Sequence, residues 1–303
     1  MKYTGLHISD DALYCLDYTT NIRGHFISKF GCLDIPQGIV EGGEIKDEKK
    51  FSELLKQFDH DHDLSFVKVS VPEEKAYLFQ TDVPSANVRA IAQNIESKLE
   101  ESVPLSAPDA VFYFDLLPKA VTGGALRASV SVVARSYIEK VMGLLRNSGI
   151  FPVAFEVLPK SIAMAVIEPK TPGAEMIVHI MNRKTGIYIV SESVVCFTST
   201  ISWGSQVSNG VQSDISILIK EINRIHEYWT THNPATSALN RIILVGKGSL
   251  VHENVLKTAM SEFGIEVGIA DVWRNTFDLD NYIPPISRED SLDYAVAAGL
   301  AIS

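Results

Sequence analysis

The sequence predicts an α/β fold of two similar halves, with a compact α+β module inserted into the first half. Three observations lead to this prediction. A series of short strand-like runs opens the chain, and a second series of the same kind begins near Met176. Alternating helical and strand-like segments follow each series, the order expected of a mixed sheet covered by helices. Between Pro72 and Pro152 the pattern changes to helix, two strands and helix.

The first half opens with two alternating runs joined at Ser9-Asp10-Asp11, and a third run covers residues 25–30. Small hydrogen-bonding residues between alternating runs indicate a strand meander. A helix over residues 48–58 and an apolar strand over residues 64–71 follow. The strand is expected to stop at Pro72 because proline removes a backbone donor.

The inserted module begins with an amphipathic helix. Apolar residues recur at helical spacing after Pro84, namely Val88, Ile91, Ala92, Ile95 and Leu99. Two strand-like runs lie on either side of a turn region at Gly123-Gly124, and a second helix is predicted over residues 137–146. After the module, a strand and a helix complete the first half.

The second half repeats the opening in kind, with strand-like runs over residues 176–181, 186–191 and 194–201. A helix is predicted over residues 215–229, followed by a strand–glycine turn–helix–strand unit. An internal duplication explains this order although the residues hardly match. We therefore divide the chain into a first half (1–71), the inserted module (72–152), the closing strand and helix of the first half (153–172), and the second half (173–303).

The glycine turn of that unit reads Gly246-Lys247-Gly248-Ser249 and stands between a strand and a helix. Glycines at this place let backbone N–H groups approach an anion, so the turn is a candidate phosphate contact. The simpler alternative, which the turn alone favours, is a tight connection with nothing bound. The last segment is predicted to be helical, with Ser291 as a candidate cap and small residues that allow close packing.

Composition excludes several classes of protein. The 303 residues are 46% hydrophobic and 21% charged, which indicates a globular protein with a sizeable core. The net charge of −10 argues against broad binding to nucleic acid or to an anionic membrane surface. No apolar run approaches the length that spans a bilayer. Cys15, Cys32 and Cys196 are predicted to be reduced core thiols because they are odd in number and far apart.

Two pairs of histidines are candidate ligands. His60 and His62 lie among aspartates and have the residue types of a transition-metal site, but a solvated acidic loop is the favoured interpretation. His7 and His179 are candidates to face each other across a cleft, where neutral histidines need nothing bound. The serines considered as nucleophiles lack the flanking glycine pattern of a nucleophile elbow, namely Ser9, Ser161 and Ser249.

The order of short motifs resembles that of the PilM family of type IV pilus assembly proteins, which is part of the actin-like ATPase superfamily and related to FtsA. The resemblance covers essentially the whole chain and rests on GLHISDDAL, IPQGIVEGGEIKD, VSVPEEKAYLFQTDVP, SVPLSAPDAVFYFDLL, SGIFPVAFEV, KEINRIHEYW, ILVGKGSL, IEVGIADVW and AVAAGLAI. It implies the duplicated actin-like (ribonuclease H-type) fold, with the inserted α+β module in the position that this family uses.

Departures from the family pattern imply a degenerate nucleotide site. Nucleotide-binding relatives carry an aspartate and then a glycine at the end of the first strand of each half, whereas this chain has His7 and Ser9, and His179 and Met181. Imidazole is a poor replacement for a carboxylate around hydrated magnesium. The segment that helps to hold ribose and adenine in the second half is also short, which implies a reduced subdomain.

We therefore expect no catalytic residue, no metal and no cofactor, with magnesium ATP as the alternative. The residues that would contact a nucleotide, if one binds, are Ser9, Asp10, Asp11, Gly204, Glu221, Arg224, Gly246, Lys247 and Gly248. For Glu221 and Arg224 an exposed salt bridge one turn apart on a helix is the favoured interpretation.

The resemblance implies a cytoplasmic adaptor held at the inner membrane by a PilN-like membrane protein, whose tail it binds beside the module. It implies neither nucleic-acid binding nor direct membrane insertion, and leaves self-association open. The residues predicted for the partner are Pro72, Val83, Pro84, Val88, Ile91, Ile95 and Leu99. The alternatives are an ATP-binding actin-like switch and an FtsA-like filament protein of cell division.

Overall fold

The computed structural model describes residues 3–21, 24–84, 87–117, 125–169, 171–205, 214–232, 238–279 and 282–302. The predicted turn at Gly123-Gly124 lies outside the described residues. Within the described part no helix is long and apolar enough to cross a membrane.

The first half forms a five-stranded sheet in the order β10-β6-β1-β2-β3. Its elements are β1 (Thr4–Ile8), β2 (Ala12–Asn21), β3 (Gly24–Asp34), the short hairpin β4 (Val40–Glu41) and β5 (Glu44–Ile45), α1 (Glu48–His62) and β6 (Phe66–Val71). The module interrupts this half with β7 (Ala76–Val83), α2 (Val88–Ser102), β8 (Ala110–Leu116) and β9 (Leu126–Ala134). After it come α3 (Arg135–Asn147), β10 (Phe151–Val157) and α4 (Leu158–Val166).

The second half repeats this topology. Its elements are β11 (Ala174–Ile180), β12 (Thr185–Ser191), β13 (Val194–Ile201), α5 (Ser216–His232), β14 (Leu239–Val245), α6 (Glu253–Met260), β15 (Glu266–Ile269), α7 (Arg288–Ser291) and α8 (Ala295–Ile302). The sheet order β13-β12-β11-β14-β15 matches β3-β2-β1-β6-β10 strand for strand. In both sheets the first three strands pair antiparallel and the later ones pair parallel. The predicted duplication is confirmed.

The two halves pack closely through α4 and α8. A side chain at Gly299 would place its Cβ 1.7 Å from the carbonyl oxygen of Ser161, and a Cβ at Gly5 would lie 2.1 Å from that of Ala297. The small residues of the last segment therefore bring helix α8 against the backbone of its neighbours, as predicted. The cap prediction was wrong, because Ser287 caps α7 by accepting from the amide of Asp290 at 3.0 Å.

The module has its own core. Its sheet has the order β7-β9-β8, and α2 covers one face of it. Asn87 starts α2 by accepting from the amide of Ala90. The apolar face of α2 is buried against this sheet through Ile91, Ile95 and Leu99, each exposed by 2% or less. The periodic pattern thus predicted the helix correctly, but the apolar face of α2 is buried inside the module and is not available to a partner.

Helix α3 belongs to the first half and not to the module, to which residues 72–152 were assigned. Its residues Val141, Leu144 and Leu145 share a core with Phe51 and Leu55 of α1. The module proper therefore ends near Ala134, where β9 gives way to α3. Apolar residues at helical spacing indicate that one face of a helix is buried, but they do not indicate which neighbouring element covers that face.

Two local predictions are corrected. The residues His60 and His62 form the last turn of α1, which runs to His62, and not a loop before the next strand. Asp63 ends this helix in the left-handed conformation at φ 47°. Cys15 and Cys196 are buried as predicted, whereas Cys32 is exposed on β3, an edge strand of its sheet.

Candidate functional site

A polar cleft lies between the two halves. It is lined by the turn after β1, the turn after β11 and the glycine loop after β14. Both sheets place their first strand in the centre, so the duplication brings these two turns to opposite walls. The cleft has a volume of about 170 Å³. Small-molecule pockets typically enclose roughly 300–1,000 Å³, so this cleft is narrow for a nucleotide.

The turns on the two walls are joined by hydrogen bonds across the cleft. The guanidinium of Arg183 donates to one carboxylate oxygen of Asp11 at 2.8 Å, and the side-chain amide of Asn182 donates to the other at 3.1 Å. The side chains of Arg183 and Asp11 are each 37% exposed. Asp11 is thus engaged by the opposite half and is not free to organise a hydrated cation.

Lys184 joins the same walls at a more buried point. Its ammonium lies 3.3 Å from a carboxylate oxygen of Asp10 and also donates to Glu74. The carboxylate of Asp10 accepts from the amides of Gly42 and Gly43 at 3.2 and 2.8 Å. Burial disfavours the charge of Lys184, but the carboxylates of Glu73, Glu74 and Asp10 outweigh it and raise the pKa of this ammonium.

His7 and His179 lie at the base of the cleft, at equivalent positions of β1 and β11. The Nδ1 atom of His7 is 2.8 Å from the hydroxyl of Ser70, while Nδ1 of His179 has no partner in the described part of the chain. Burial, followed by the charge of Lys184, lowers the pKa of His179 to about 3. Burial, followed by His179 and Lys184, lowers the pKa of His7 to about 3. Both imidazoles are therefore neutral at physiological pH.

Hydrogen bonds within the first turn use both the side chain and the amide of Ser9. The hydroxyl of Ser9 donates to the carbonyl of Ala12 at 2.8 Å and accepts from the amides of Asp11 and Ala12 at 3.3 and 2.9 Å. The amide of Ser9 donates to the carbonyl of Ala12 at 3.0 Å. Ser9 therefore closes its own turn and presents no free donor to a phosphate.

The glycine loop is a tight connection. Gly246 adopts φ +86°, and a Cβ there would lie 2.3 Å from the carbonyl oxygen of Ile180. The amide of Lys247 donates to Asp293 at 2.9 Å, and the amide of Ser249 donates to the carbonyl of Gly246 at 2.9 Å. The loop thus needs glycine for its backbone path, and two of its amides are already satisfied.

The predicted nucleotide contacts separate into two groups. Ser9, Asp10, Asp11, Lys247 and Gly248 line the cleft, and Gly246 adjoins it, because a Cβ there would lie 3.4 Å from His179. Gly204 also adjoins it, because a Cβ there would lie 2.3 Å from the carbonyl oxygen of Asn182, whereas Glu221 and Arg224 are not among the residues that line the cleft.

Glu221 and Arg224 form a bidentate pair on α5. The guanidinium of Arg224 donates to Glu221 at 2.6 and 2.9 Å, and the hydroxyl of Ser199 donates to the same carboxylate at 3.1 Å. The favoured interpretation as a helix salt bridge is confirmed. The short subdomain expected here falls within residues 202–215, of which 206–213 lie outside the described residues, so its reduction stays a prediction.

Glu73 lies beneath the cleft, where the first half leads into the module. It is 8% exposed, and the hydroxyl of Thr200 on the second half is 3.5 Å from its Oε1 atom. Burial and then the neighbouring charge of Glu74 raise the pKa of Glu73 to about 6.

Metal ligation finds no support in the described residues. No group of three histidine, cysteine, aspartate or glutamate side chains is placed there to hold a metal ion. His62 instead packs edge-on against Phe58, with ring centroids 4.7 Å apart.

Sequence reasoning missed the cations that close the cleft. The turn of residues 181–184 follows β11 as the turn of residues 9–11 follows β1, so the duplication places the two turns at corresponding points of the two halves. The first turn carries two aspartates and the second carries an arginine and a lysine. This opposite charge of the two corresponding turns is the signal from which the contacts could have been found.

A second candidate site is the apolar surface along two free strand edges, which we call the edge surface. It is defined by Val111 and Tyr113 on β8, exposed by 39% and 57%, and by Phe151 and Val153 on β10, exposed by 50% and 43%. β8 and β10 are terminal strands of their sheets. Lys160 joins them, since its ammonium lies 2.9 Å from Asp115 of β8, 3.6 Å from Glu156 of β10 and 4.0 Å from the ring centroid of Tyr113.

Most of the residues predicted for the partner are not available to it. Pro72, Val83, Ile91, Ile95 and Leu99 are buried, the last four in the module core. Only two of the predicted set are exposed, namely Pro84 and Val88. Three of the exposed apolar residues of the module lie instead on its edge strand β8, namely Val111, Tyr113 and Leu116.

No protein-family model matches the chain, and no curated protein matches it in sequence. Solved structures match it in fold. A chain of a PilM–PilN type IV pilus biogenesis complex has a TM-score of 0.82 at 16% identity, with 100% of this chain and 98% of that chain covered. The cytoplasmic domain of EpsL, an inner-membrane component of the type II secretion system of Vibrio cholerae, has a TM-score of 0.52 at 11% identity, covering 97% of this chain and 94% of that one.

A third similar structure is described by its own name as having an actin-like ATPase fold. It is a Bacteroides thetaiotaomicron protein with an actin-like ATPase fold and unknown function, with a TM-score of 0.51 at 8% identity and 92% and 93% of the two chains covered. Together with the duplicated sheet topology, these likenesses confirm that the chain has the predicted actin-like fold.

Proposed function

We propose that this protein is a PilM-like adaptor of an inner-membrane assembly platform for type IV pili or a related secretion system. It binds the N-terminal tail of a PilN-like single-pass membrane protein and does not hydrolyse ATP. In this proposal the protein is cytoplasmic, and its partner holds it at the inner membrane.

The observation that carries the proposal is the closure of the cleft by its own side chains. Asp10 and Asp11, which line the cleft and were predicted to contact a nucleotide, are bound by Lys184 and Arg183 of the opposite half. A triphosphate would have to break both contacts and expose two aspartates to its own negative charge. Closing the cleft in this way favours a scaffold over a nucleotide-driven machine.

The edge surface supplies the geometry for a tail. A free strand edge presents unpaired backbone N–H and C=O groups, to which an extended peptide adds as a further strand. Tyr113 and Phe151 are half exposed on terminal strands, and aromatic residues of this kind contribute most to the affinity of binding surfaces. An apolar tail therefore gains both backbone pairing and side-chain burial at this surface.

The comparisons support the proposal in two ways, through the shared fold and through the systems that the matched structures are named for. The PilM chain with the same fold is solved in a complex with PilN, and EpsL is named as an inner-membrane component of a secretion system. One likeness thus supports a PilN-like partner, and the other supports a place in an inner-membrane system.

Fluorescence anisotropy tests the proposal with a labelled peptide of the cytoplasmic N-terminal tail of the single-pass membrane protein encoded beside this chain. Tyr113→Ala and Phe151→Ala are each expected to weaken binding at least about tenfold, the effect of losing a hot-spot aromatic residue. Val255→Ala is the matched control, because Val255 is 45% exposed on α6 of the second half. Equal affinities for all three variants and the unchanged protein would place the docking site elsewhere.

A further inference from the structure

Lys184 is the point where all three parts of the molecule meet. It lies on the second half, just before β12, and contacts Asp10 in the first turn of the first half. It also contacts Glu74, in the short 3-10 turn Glu73–Lys75 that leads directly into β7 of the module. A single side chain thus ties the second half both to the first half and to the start of the module.

The module is seated on the second half by two further contacts. The side-chain amide of Gln80 on β7 donates to the carbonyl of Cys196 at 3.0 Å, and the hydroxyl of Ser129 on β9 donates to that of Val195 at 2.6 Å. The acceptors lie on β13, a terminal strand of the second-half sheet. Movement of the module relative to β13 therefore also moves Glu74 relative to Lys184.

The charge balance at this point depends on Lys184. Among the described residues it is the only cation within ion-pair distance of Asp10 or Glu74, because Lys75 pairs with Glu44 and Arg183 pairs with Asp11. Glu73 adds a third carboxyl, which is buried and also attracts the ammonium of Lys184. Without the ammonium, the second half would lose its ion pairs to Asp10 and Glu74, and these carboxylates would be left without a countercharge among the described residues.

We propose that Lys184 is a latch that keeps the cleft closed and the module seated, and that docking of a tail on the edge surface releases it. The second part rests on the proposed function. Tyr113 is covered by the ammonium of Lys160, which also holds Asp115 of the module to α4. A tail side chain that stacks on the face of Tyr113 held by Lys160 would displace this ammonium and so loosen the module from the first half.

Distance measurement by double electron–electron resonance tests the latch. Spin labels are attached through Lys56→Cys on α1 and Lys220→Cys on α5, both exposed, in a Cys32→Ser background. Lys184→Met is expected to shift the distances to longer and broader values, and Lys184→Arg is expected to retain the shorter ones. Lys257→Met is the matched control, because Lys257 pairs with Glu253 inside one helix. Unchanged distances in Lys184→Met would overturn the latch.

Glu74→Gln provides a milder second variant, because it removes one contact of Lys184 and leaves Asp10 in place. If Lys184→Met does not fold, Glu74→Gln is expected to broaden the distances. Its failure to do so would equally overturn the proposal.

The tail peptide tests the coupling. Because coupling between two sites is reciprocal, Lys184→Met should bind the peptide about tenfold more tightly, and saturating peptide should lengthen the distances in the latched protein. Binding without either change would overturn the coupling and leave the proposed function intact. No binding to the unchanged protein would overturn the proposed function, while the distances of Lys184→Met would still decide the latch.

Discussion

Acidification from pH 7 to pH 5 should destabilise this protein mainly through His7 and His179. The pKa of each buried imidazole is lowered to about 3, chiefly by burial. The unfolded chain takes up protons near pH 6.5 while the folded chain stays neutral, so stability is full above that pH and is lost as the pH falls towards 3. Between pH 7 and pH 5 the loss is about 2 kcal/mol for each histidine.

Glu73 offsets part of this loss. Its pKa is raised to about 6, mainly by burial, so the folded state holds its proton better than the unfolded state. The associated destabilisation is present above pH 6 and fades as the pH falls towards the ordinary carboxyl value, which returns about 1 kcal/mol between pH 7 and pH 5. The net expected loss is about 3 kcal/mol.

Urea unfolding at pH 7 and pH 5, followed by circular dichroism, measures this difference. His7→Gln and His179→Gln should each reduce the change between the two pH values by about 2 kcal/mol, whatever their effect at pH 7. His60→Gln is the control because His60 is exposed at the end of α1. A pH dependence that is the same in all four proteins would refute the assignment of two buried neutral histidines.

Three other results are expected. Glu73→Gln should stabilise the protein by about 2 kcal/mol at pH 8 and by much less at pH 5, because the raised pKa of Glu73 costs stability only while its carboxyl is ionised. Urea unfolding at the two pH values measures this difference, and equal effects would contradict the raised pKa. Gly246→Ala should lower the free energy of unfolding by roughly 2–3 kcal/mol in thermal unfolding, because Gly246 has φ +86° and a Cβ there would lie 2.3 Å from a carbonyl oxygen. Gly264→Ala is the control and should lower it by about 1 kcal/mol, because Gly264 has φ +66° but nothing within 4 Å of its Cβ position. Similar losses for the two variants would disprove the close contact at Gly246. Magnesium ATP should give no heat of binding in isothermal titration, and micromolar affinity with phosphate release would contradict the closed cleft.

Much of the fold could be predicted because its signals are local. The alternation of apolar and polar residues predicts β1 and β2, and the helical spacing of apolar residues predicts α2. Gly246 predicts the turn after β14, where the structure requires a positive φ. Two similar series of strands then imply two similar halves, and the matching sheet orders confirm this. Element boundaries were less certain, as α1 shows by continuing to His62.

Contacts between distant segments could not be predicted in the same way. The helical spacing of apolar residues in α2 indicates that Ile91 and Ile95 are buried. The spacing would be the same whether the sheet of the module or a partner protein covered them. Asp11 and Arg183 are 172 residues apart, and only the three-dimensional duplication brings them together. The residues predicted to contact a nucleotide include five that line the cleft, but the prediction missed the side chains of Arg183 and Lys184 that close it.

The most direct test is hydrogen–deuterium exchange of the protein with and without the tail peptide of the membrane protein encoded beside it. The adaptor account predicts protection along β8 and β10, because a docked strand satisfies backbone groups at those edges. It also predicts no protection of the glycine loop at Gly246 or of the first turn at Ser9. Protection confined to those two segments, with β8 and β10 unchanged, would show that the partner occupies the cleft and would contradict the account.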